Sequence, residues 1–399
     1  MLGHSPVTVA YDLAIVGAGI VGAACAAECA RSGLKVVVLE RDIVGGGTTA
    51  AGMGHIVVMD DSAAQFALTS YSRQLWHDIS SALPPQVEYD QCGTLWVAAD
   101  QEEMVEVRRK ESVYQEHGVR IEVLDSEGLR QLEPNLRPDL AGALRVPEDA
   151  VLYPPAAARF LLEQAEGCGA EVRHRADVRN LKQDGSVELN DGTVVHAYRC
   201  LLATGPWAAE LVPGLPIRKR KGHLVITDRY PGFARHQIVE LGYLKSAQSQ
   251  TKDSVAFNIQ PRKNGQMLIG SSRQFDAEDT SVEQPILERM LNRALSYMPP
   301  VGRLSAIRCW SGHRPATPDK LPLIGPSAPS DRIWLATGHE GLGITTSLGT
   351  AKLVADLMIG RKSSIRPEPY SPARFTSAKS ADRSSPSCNQ SRRQESQQE

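Results

Sequence analysis

Long uninterrupted apolar runs are missing from this chain. The most apolar window, residues 13–30, holds three glycines at turn spacing, so it reads as a strand, turn and helix rather than a bilayer span. The seven cysteines (25, 29, 92, 168, 200, 309 and 388) are odd in number and scattered, with no CxxC pair. That pattern excludes a disulfide framework and gives no zinc or iron–sulfur ligand set, so no metal is expected. Charge of one sign is also lacking: the formal net charge is −2, and no global field draws nucleic acid or an anionic membrane. The opening MLGHSPVTVA has neither a basic stretch nor an apolar core of signal-peptide type. A cytoplasmic location is expected, with peripheral attachment to the inner membrane as the variant of it. No nucleophile triad or pair of carboxylates stands out either.

What is present begins at residues 11–41, YDLAIVGAGIVGAACAAECARSGLKVVVLER. A short apolar run leads into Gly17, Gly19, Ile20, Val21 and Gly22. Helix formers follow, then a second apolar run that closes on Glu40 and Arg41. Strand, glycine turn, helix, strand and acid in that order predict a dinucleotide site. The first glycine permits the tight turn, the second the approach of a pyrophosphate, and the third close helix–strand packing. Phosphates would sit on the free N–H groups of the helix start. Glu40 would accept hydrogen bonds from ribose hydroxyls.

Residues 45–55 are too glycine-rich for a strand or helix and predict a loop that approaches a ligand closely, with Thr48 and Thr49 as further phosphate donors. Ser62 to Gln65 reads as a capping box opening a helix, and the preceding Asp60-Asp61 as carboxylates favoured by that helix's dipole rather than a metal or acid–base pair. A helix is predicted over 101–117 and another over 156–168. Short strands follow at 170–174, 176–182, 187–189 and 194–203, with Asp191-Gly192 as a hairpin turn. The last of them breaks at Thr204-Gly205-Pro206-Trp207, which again brings backbone to a ligand edge. The basic run 218–221 is expected to be a solvated approach to a strand. In the strand around 257–260, Phe257 and Ile259 fall on one face, with Asn258 and Gln260 on the other. Two amides on one face suit either a solvated edge or the polar wall of a pocket. From Tyr370 onward the composition turns to serine, arginine and glutamine, and a disordered tail is expected over 371–399.

Two later stretches carry chemistry. Residues 310–325, WSGHRPATPDKLPLIG, predict a proline-rich loop between strands. There Arg314 either offers its planar fork to a carboxylate or pairs at the surface with Asp319. Residues 333–344 give a strand, a turn through Gly338, Gly341, Leu342 and Gly343, and then, from Ile344, an approach to a helix over about 345–359. That is a second helix N-terminus suited to negative charge. His339 in the turn is either a donor behind the site or a satisfied loop histidine.

Together these motifs resemble the D-amino-acid-oxidase (DAO) superfamily of FAD enzymes, which includes glycine oxidase, sarcosine oxidase, D-amino acid dehydrogenase, opine oxidase and hydrogen cyanide synthase subunits. The resemblance extends from Tyr11 to about Phe375. It rests on GAGIVG with Glu40, the GGGTTAAG loop, the ATGPW turn, the WxGxRPxTPD stretch and the GHEGLG turn. The wording of TTAAGMGHIVVMDDS and GHEGLGITTSLGTA is similar to beta subunits of bacterial D-hydroxyproline dehydrogenases. The resemblance implies an α/β fold of glycine-oxidase type, with a discontinuous Rossmann-like FAD-binding domain (11–85, 148–217 and 326–362) and a strand-rich substrate domain (86–147 and 218–325). FAD contacts are implied at Gly17, Gly19, Ile20, Val21, Gly22, Glu40, Arg41, Thr48, Thr49, Ala50, Gly52, Val178, Thr204, Gly205, Trp207, Gly338, Gly341, Leu342, Gly343 and Ile344. Arg314, Asn258, His55 and His339 are the catalytic candidates, with Arg314 on the substrate carboxylate.

Amino-acid-oxidising relatives often place a tyrosine where this chain has Asn258 and Gln260, so an amide contact to a ring hydroxyl takes its place in the expectation. Cys309 lies near a flavin-attachment position of monomeric sarcosine oxidases, but its spacing to Pro318-Asp319 is longer, and FAD is expected to be non-covalent. The implied reaction is hydride transfer from Cα of a D-amino acid, D-hydroxyproline above others, to flavin N5, with partner subunits or a quinone as electron acceptor. Glycine, sarcosine or opine oxidation, a hydrogen cyanide synthase subunit, a D-amino acid dehydrogenase and an NAD-dependent enzyme are the competing readings.

Overall fold

The computed structural model describes residues 10–242, 253–275 and 277–375. A six-stranded sheet runs in the order Leu323–Pro326, Ile333–Thr337, Ala197–Leu202, Tyr11–Val16, Val36–Glu40, Glu171–His174. All neighbours are parallel except the first two strands, which form an antiparallel pair. The inner strands are apolar almost throughout because both faces are covered, as parallel sheets require. Helices Ile20–Arg31, Pro154–Gly167 and Gly343–Ile359 pack over one face around Leu13, Ile15, Val36 and Val38. The small antiparallel sheet of Val178–Leu181, Val187–Leu189 and Val194–Val195 covers the other face against Ala14, Val16, Val37 and Leu39.

The second body is an eight-stranded sheet: Ala306–Ala316, Arg218–Arg229, Gln266–Phe275, Asp253–Pro261, Gln237–Glu240, Thr94–Ala98, Gly142–Val146, Glu122–Asp125. Its neighbours are antiparallel apart from Gln237–Glu240 with Thr94–Ala98. Helix Gln284–Tyr297 closes one face over Phe257, Ile259 and Ile269. Part of the other face, with Trp96 and Val239, packs on Val57, Val58, Phe66 and helix Gln101–Glu116. Asn258 and Gln260 are on that second face, 5% and 1% exposed, inside the sheet rather than at a solvated edge.

Several local expectations change in three dimensions. The glycine-rich stretch contains a one-turn helix, Gly47–Ala50, and a two-residue strand, His55–Ile56. The stretch around Arg314 is strand up to Ala316, paired residue by residue with 218–227. Pro315 is tolerated there because Ala306–Ala316 lies at the sheet edge. The basic run 218–221 is not solvated at its end. Arg220 and Lys221 are buried, Arg220 pairing with Glu340, and Lys221 with Asp279 and Glu283 at 3.0 and 2.9 Å.

Ser62 caps helix Ala63–Asp78 by accepting from Gln65 N–H, as its position suggested. Asp60 instead forms a buried ion pair with Lys110 and a second pair with the half-exposed Arg109, which pull its carboxyl below the usual range against the opposing effect of burial. The chain rejoins the six-stranded sheet at Leu323, ahead of the expected 326. Of the tail expected from 371, residues 371–375 are ordered: Arg374 grips Asp319 (2.7 and 3.1 Å) and the Leu321 carbonyl (2.8 Å). The remainder, 376–399, lies outside the described residues. Among the described residues, no helix is long and apolar enough to cross a membrane.

Candidate active site

The ends of the six-stranded sheet and the open face of the eight-stranded sheet enclose a cleft of about 1570 Å³, measured out to its mouth. One end is built by the first strand–turn–helix. Gly17 has φ +98°, and a Cβ at Gly22 would lie 1.9 Å from the Gly17 carbonyl oxygen, so the turn and helix close up only without side chains there. Ile20 N–H, at the helix start, donates to the Thr49 hydroxyl at 3.0 Å. The Thr48 hydroxyl donates to the His313 carbonyl at 2.7 Å. Both threonines tie the 45–54 segment to its neighbours; Thr48 spends its hydroxyl hydrogen in doing so, whereas Thr49 only accepts in this bond and can still donate to a phosphate. Glu40 accepts from Ala18 N–H (2.7 Å) and Asp42 N–H (2.8 Å), which fixes its carboxylate at the cleft wall. Arg41 stacks on Trp207 at 5.1 Å, and the buried Thr204 hydroxyl has no protein partner.

The other end is built around helix Gly343–Ile359. The turn before it reverses at Gly338 (φ +80°), and Gly341, Gly343 and Ile344 border the cleft. Trp76 Nε1–H donates to the Ile344 and Thr345 carbonyls, and the Thr345 hydroxyl to the His55 carbonyl at 2.7 Å, so the first helical turn is held against residue 55. The His339 ring turns into the helix, with Nε2 3.0 Å from the Thr350 hydroxyl. Burial drives its pKa down to about 3. That contact is the one expected of a satisfied loop histidine.

Arg314 extends across the sheet face over two glycines. A Cβ on Gly222 would stand 2.4 Å from Nη1, and one on Gly341 3.8 Å from Cδ. Arg314 Nη1–H donates to the Ser272 carbonyl at 3.0 Å, which fixes one side of the fork. Asp319 is committed to Arg374, not to Arg314. His55 is half-buried beside this guanidinium, with its Nε2 enclosed. Burial first, and then the Arg314 charge, push its pKa down to about 3, and its Nε2 has no partner. Asn258 borders the same space with an unpartnered Oδ1, while Gln260 Nε2–H is spent on the Met53 carbonyl at 2.9 Å.

Most of the sequence candidates converge here. Gly17, Gly19, Ile20, Val21, Glu40, Arg41, Thr48, Thr49, Gly52, His55, Thr204, Gly205, Trp207, Asn258, Arg314, His339, Gly341, Gly343 and Ile344 all border the cleft. Gly22, Ala50, Val178 and Gly338 do not: Gly22 serves packing, Gly338 the turn, Ala50 ends the one-turn helix, and Val178 packs in the small antiparallel sheet. Leu342 lines an adjoining chamber instead. Gly222 and Glu340 were not among the candidates. Only the pairing of 218–229 with 306–316 reveals the first, and the ion pair with Arg220 the second. Cys309 is exposed and does not border the cleft.

A family model described as FAD dependent oxidoreductase (DAO) matches residues 12–357. The bifunctional protein ThiO/ThiG of Nostoc sp. is 31% identical over 368 residues, 88% of this chain and 53% of that protein, so the chain spans about half that relative's length. Glycine oxidase of Pseudomonas aeruginosa is 27% identical over 375 residues, covering 90% of this chain and 98% of that protein. The crystal structure of glycine oxidase from Geobacillus kaustophilus matches with a TM-score of 0.82 at 25% identity, covering 92% of this chain and 99% of the other.

Proposed function

The chain belongs to the DAO family of FAD-dependent oxidoreductases, and on that footing we propose that it is a dehydrogenase oxidising the Cα–N bond of a D-amino acid, with cis-4-hydroxy-D-proline as the favoured substrate. The observation that carries this reading is Arg314, held over Gly222 and Gly341 on the cleft wall that also bears the unpartnered amide oxygen of Asn258.

The cleft suits the family's cofactor. Side-chain-free backbone at Gly17 and Gly19, the helix start at Ile20, and the partnerless Thr204 hydroxyl are features a long phosphate-bearing ligand uses. Glu40, Arg41, Gly205 and Trp207 would hold its nucleotide half. Gly341, Gly343 and Ile344 would face its ring system with a helix N-terminus, whose partial positive charge favours the reduced, anionic state. The contacts are non-covalent, with Cys309 away from the cleft. When bound, FAD supplies the two-electron acceptor for the hydride that leaves Cα as the C–N bond becomes an imine.

The protein's own part is positioning. Arg314 attracts the carboxylate and fixes the direction of the Cα–H bond, and orientation of this kind removes several kcal/mol from a barrier. The substrate nitrogen enters as a neutral amine, so its lone pair is available without a strong base. His55 stays neutral at physiological pH and offers Nε2 as a hydrogen-bond partner to that nitrogen rather than as a proton acceptor. Asn258 Oδ1 accepts from the ring hydroxyl. Electrons leave to partner subunits or a quinone.

A second reading, oxidation of glycine or sarcosine, is favoured by the similarity to the glycine oxidases. Anaerobic mixing of purified flavoprotein with glycine, sarcosine, D-proline and cis-4-hydroxy-D-proline separates the two. Fastest bleaching of the flavin by the hydroxylated imino acid is expected, and little peroxide on admitting air. Fastest bleaching by glycine, or stoichiometric peroxide, overturns the favoured assignment.

A further inference from the structure

A second chamber of about 740 Å³, measured to its mouth, adjoins the cleft, and His55, Asn258, Glu340 and Gly341 border both spaces. Gly341 also borders the slot that holds Arg314. A molecule whose carboxylate rests on Arg314 thus has this chamber within reach of its side chain.

The chamber's walls are polar in an unusual way. Trp96 and Gln237 come from adjacent parallel strands of the eight-stranded sheet. Trp96 is registered with Val239, so Gln237, two positions earlier, shares the same face. Gln65 reaches in from helix Ala63–Asp78. All three are nearly fully buried: 2%, 2% and 6% exposed. Each carries a buried polar atom with no partner: Trp96 Nε1–H, Gln237 Oε1 and Gln65 Oε1, to which Asn258 Oδ1 adds a fourth where the two spaces adjoin. Interior polar atoms are normally satisfied, so their gathering in one cavity points to groups that a ligand supplies.

These four atoms are one donor and three amide oxygens, and Arg220, Arg273 and Lys320, with Asp61 and Glu340, add charged groups of both signs to the same walls. A hydroxyl matches the four atoms, because its oxygen accepts from the indole N–H while its hydrogen goes to an amide oxygen. A carboxylate would meet the cations of Arg220, Arg273 and Lys320 but has no hydrogen for the three amide oxygens, and an alkyl group satisfies none of the four. We infer that this chamber is the side-chain subsite of the enzyme, with Trp96 and Gln237 as specificity-determining residues that select amino acids bearing hydroxyl groups beyond Cα. The inference rests on the reading that Arg314 holds the carboxylate. It extends that reading to a class, since the chamber has room for more than a single ring hydroxyl.

The test uses the holoenzyme and rates of anaerobic flavin reduction by D-proline, cis-4-hydroxy-D-proline and D-glutamate. In the unaltered protein the hydroxylated substrate is expected to exceed D-proline in kcat/KM by at least about a hundredfold, since a site built to hydrogen-bond a hydroxyl can reject the analogue lacking it by up to about 10⁴–10⁵. Gln237→Leu and Trp96→Phe should each reduce that ratio about tenfold, mostly through KM, the loss of one buried hydrogen bond. Flavin content reports that each variant is folded. A ratio near one in the unaltered protein, a ratio unmoved in both flavin-loaded variants, or preference for D-glutamate overturns the inference while leaving the Arg314 reading standing. No reduction by any amino acid overturns both.

Discussion

Arg220 stands directly opposite Arg314 in the register between Arg218–Arg229 and Ala306–Ala316, and Glu340 forms an ion pair with Arg220. Like charges facing each other across strands are destabilising. Glu340, at φ +51° in the turn before the second helix, brings its carboxylate to the cation beside the proposed substrate anchor. The two sheets are thereby joined by charge at the cleft wall.

Arg314→Lys keeps the charge and loses the fork. Turnover of the favoured substrate should fall about 10- to 100-fold in kcat/KM, mainly by a higher KM, corresponding to the roughly 1.5–3 kcal/mol of a charged hydrogen bond. Steady-state kinetics with flavin content measured in parallel checks this, and an unchanged KM would remove Arg314 from substrate binding.

Glu340→Gln leaves Arg220 buried without its carboxylate. Removing one member of a buried pair costs about 3–5 kcal/mol, so a thermal midpoint lower by several degrees is expected. Glu340→Gln combined with Arg220→Met should recover much of that loss.

Acid should destabilise the fold through two histidines, His339 in the interior and the half-buried His55. His55 and His339 ordinarily titrate at 6.5, but burial holds both near 3 in the folded protein. Between those values the unfolded chain binds more protons than the native one, so stability present above about pH 6.5 is lost as pH falls toward 3. Each contributes on the order of 1 kcal/mol per pH unit. Asp149, pushed up to about 6 by burial, acts in the opposite sense between its ordinary 3.8 and that value. His339→Gln retains a donor toward Thr350 and should flatten the dependence of the denaturation midpoint on pH over that window. An unaltered slope would mean that His339 titrates normally.

A methyl group at Gly22 has nowhere to go, with the Gly17 carbonyl 1.9 Å from its position. Gly22→Ala should purify with little flavin, read as the ratio of visible to ultraviolet absorbance. Full flavin content would show that the turn relaxes without loss.

Flavin should be released entirely into the supernatant when the protein is precipitated with acid, and Cys309→Ser should retain the same flavin content, because Cys309 is exposed and outside the cleft. Yellow colour remaining in the washed precipitate would indicate a covalent bond.

Features that depend on neighbours in sequence were legible before the fold was known. The strand–turn–helix of 11–41, the Ser62 cap and the hairpin at Gly192 are local, and patterns of spacing determine them. The family motifs pointed to Arg314. Features that depend on cross-strand register were hidden. Thr48 reaches a carbonyl 265 positions away, and Arg220 a carboxylate 120 positions away. No local composition marks those residues as buried or bonded. The basic run 218–221 looked solvated because its acidic partners lie on the 277–283 segment and in the turn at 340. Gly222 looked like the end of that run, whereas its lack of a side chain is what lets the Arg314 guanidinium lie flat on the sheet.

The grip of Arg374 on Asp319 and Leu321 has a practical side. Those two residues sit on the short connector that leaves the Arg314 strand and re-enters the six-stranded sheet, so Arg374 acts as a clasp on the link between the two bodies. Affinity tags and fusion partners belong downstream of Phe375, where the clasp stays shut. A vector that stops at Tyr370 would release the connector and slacken the strand beside it.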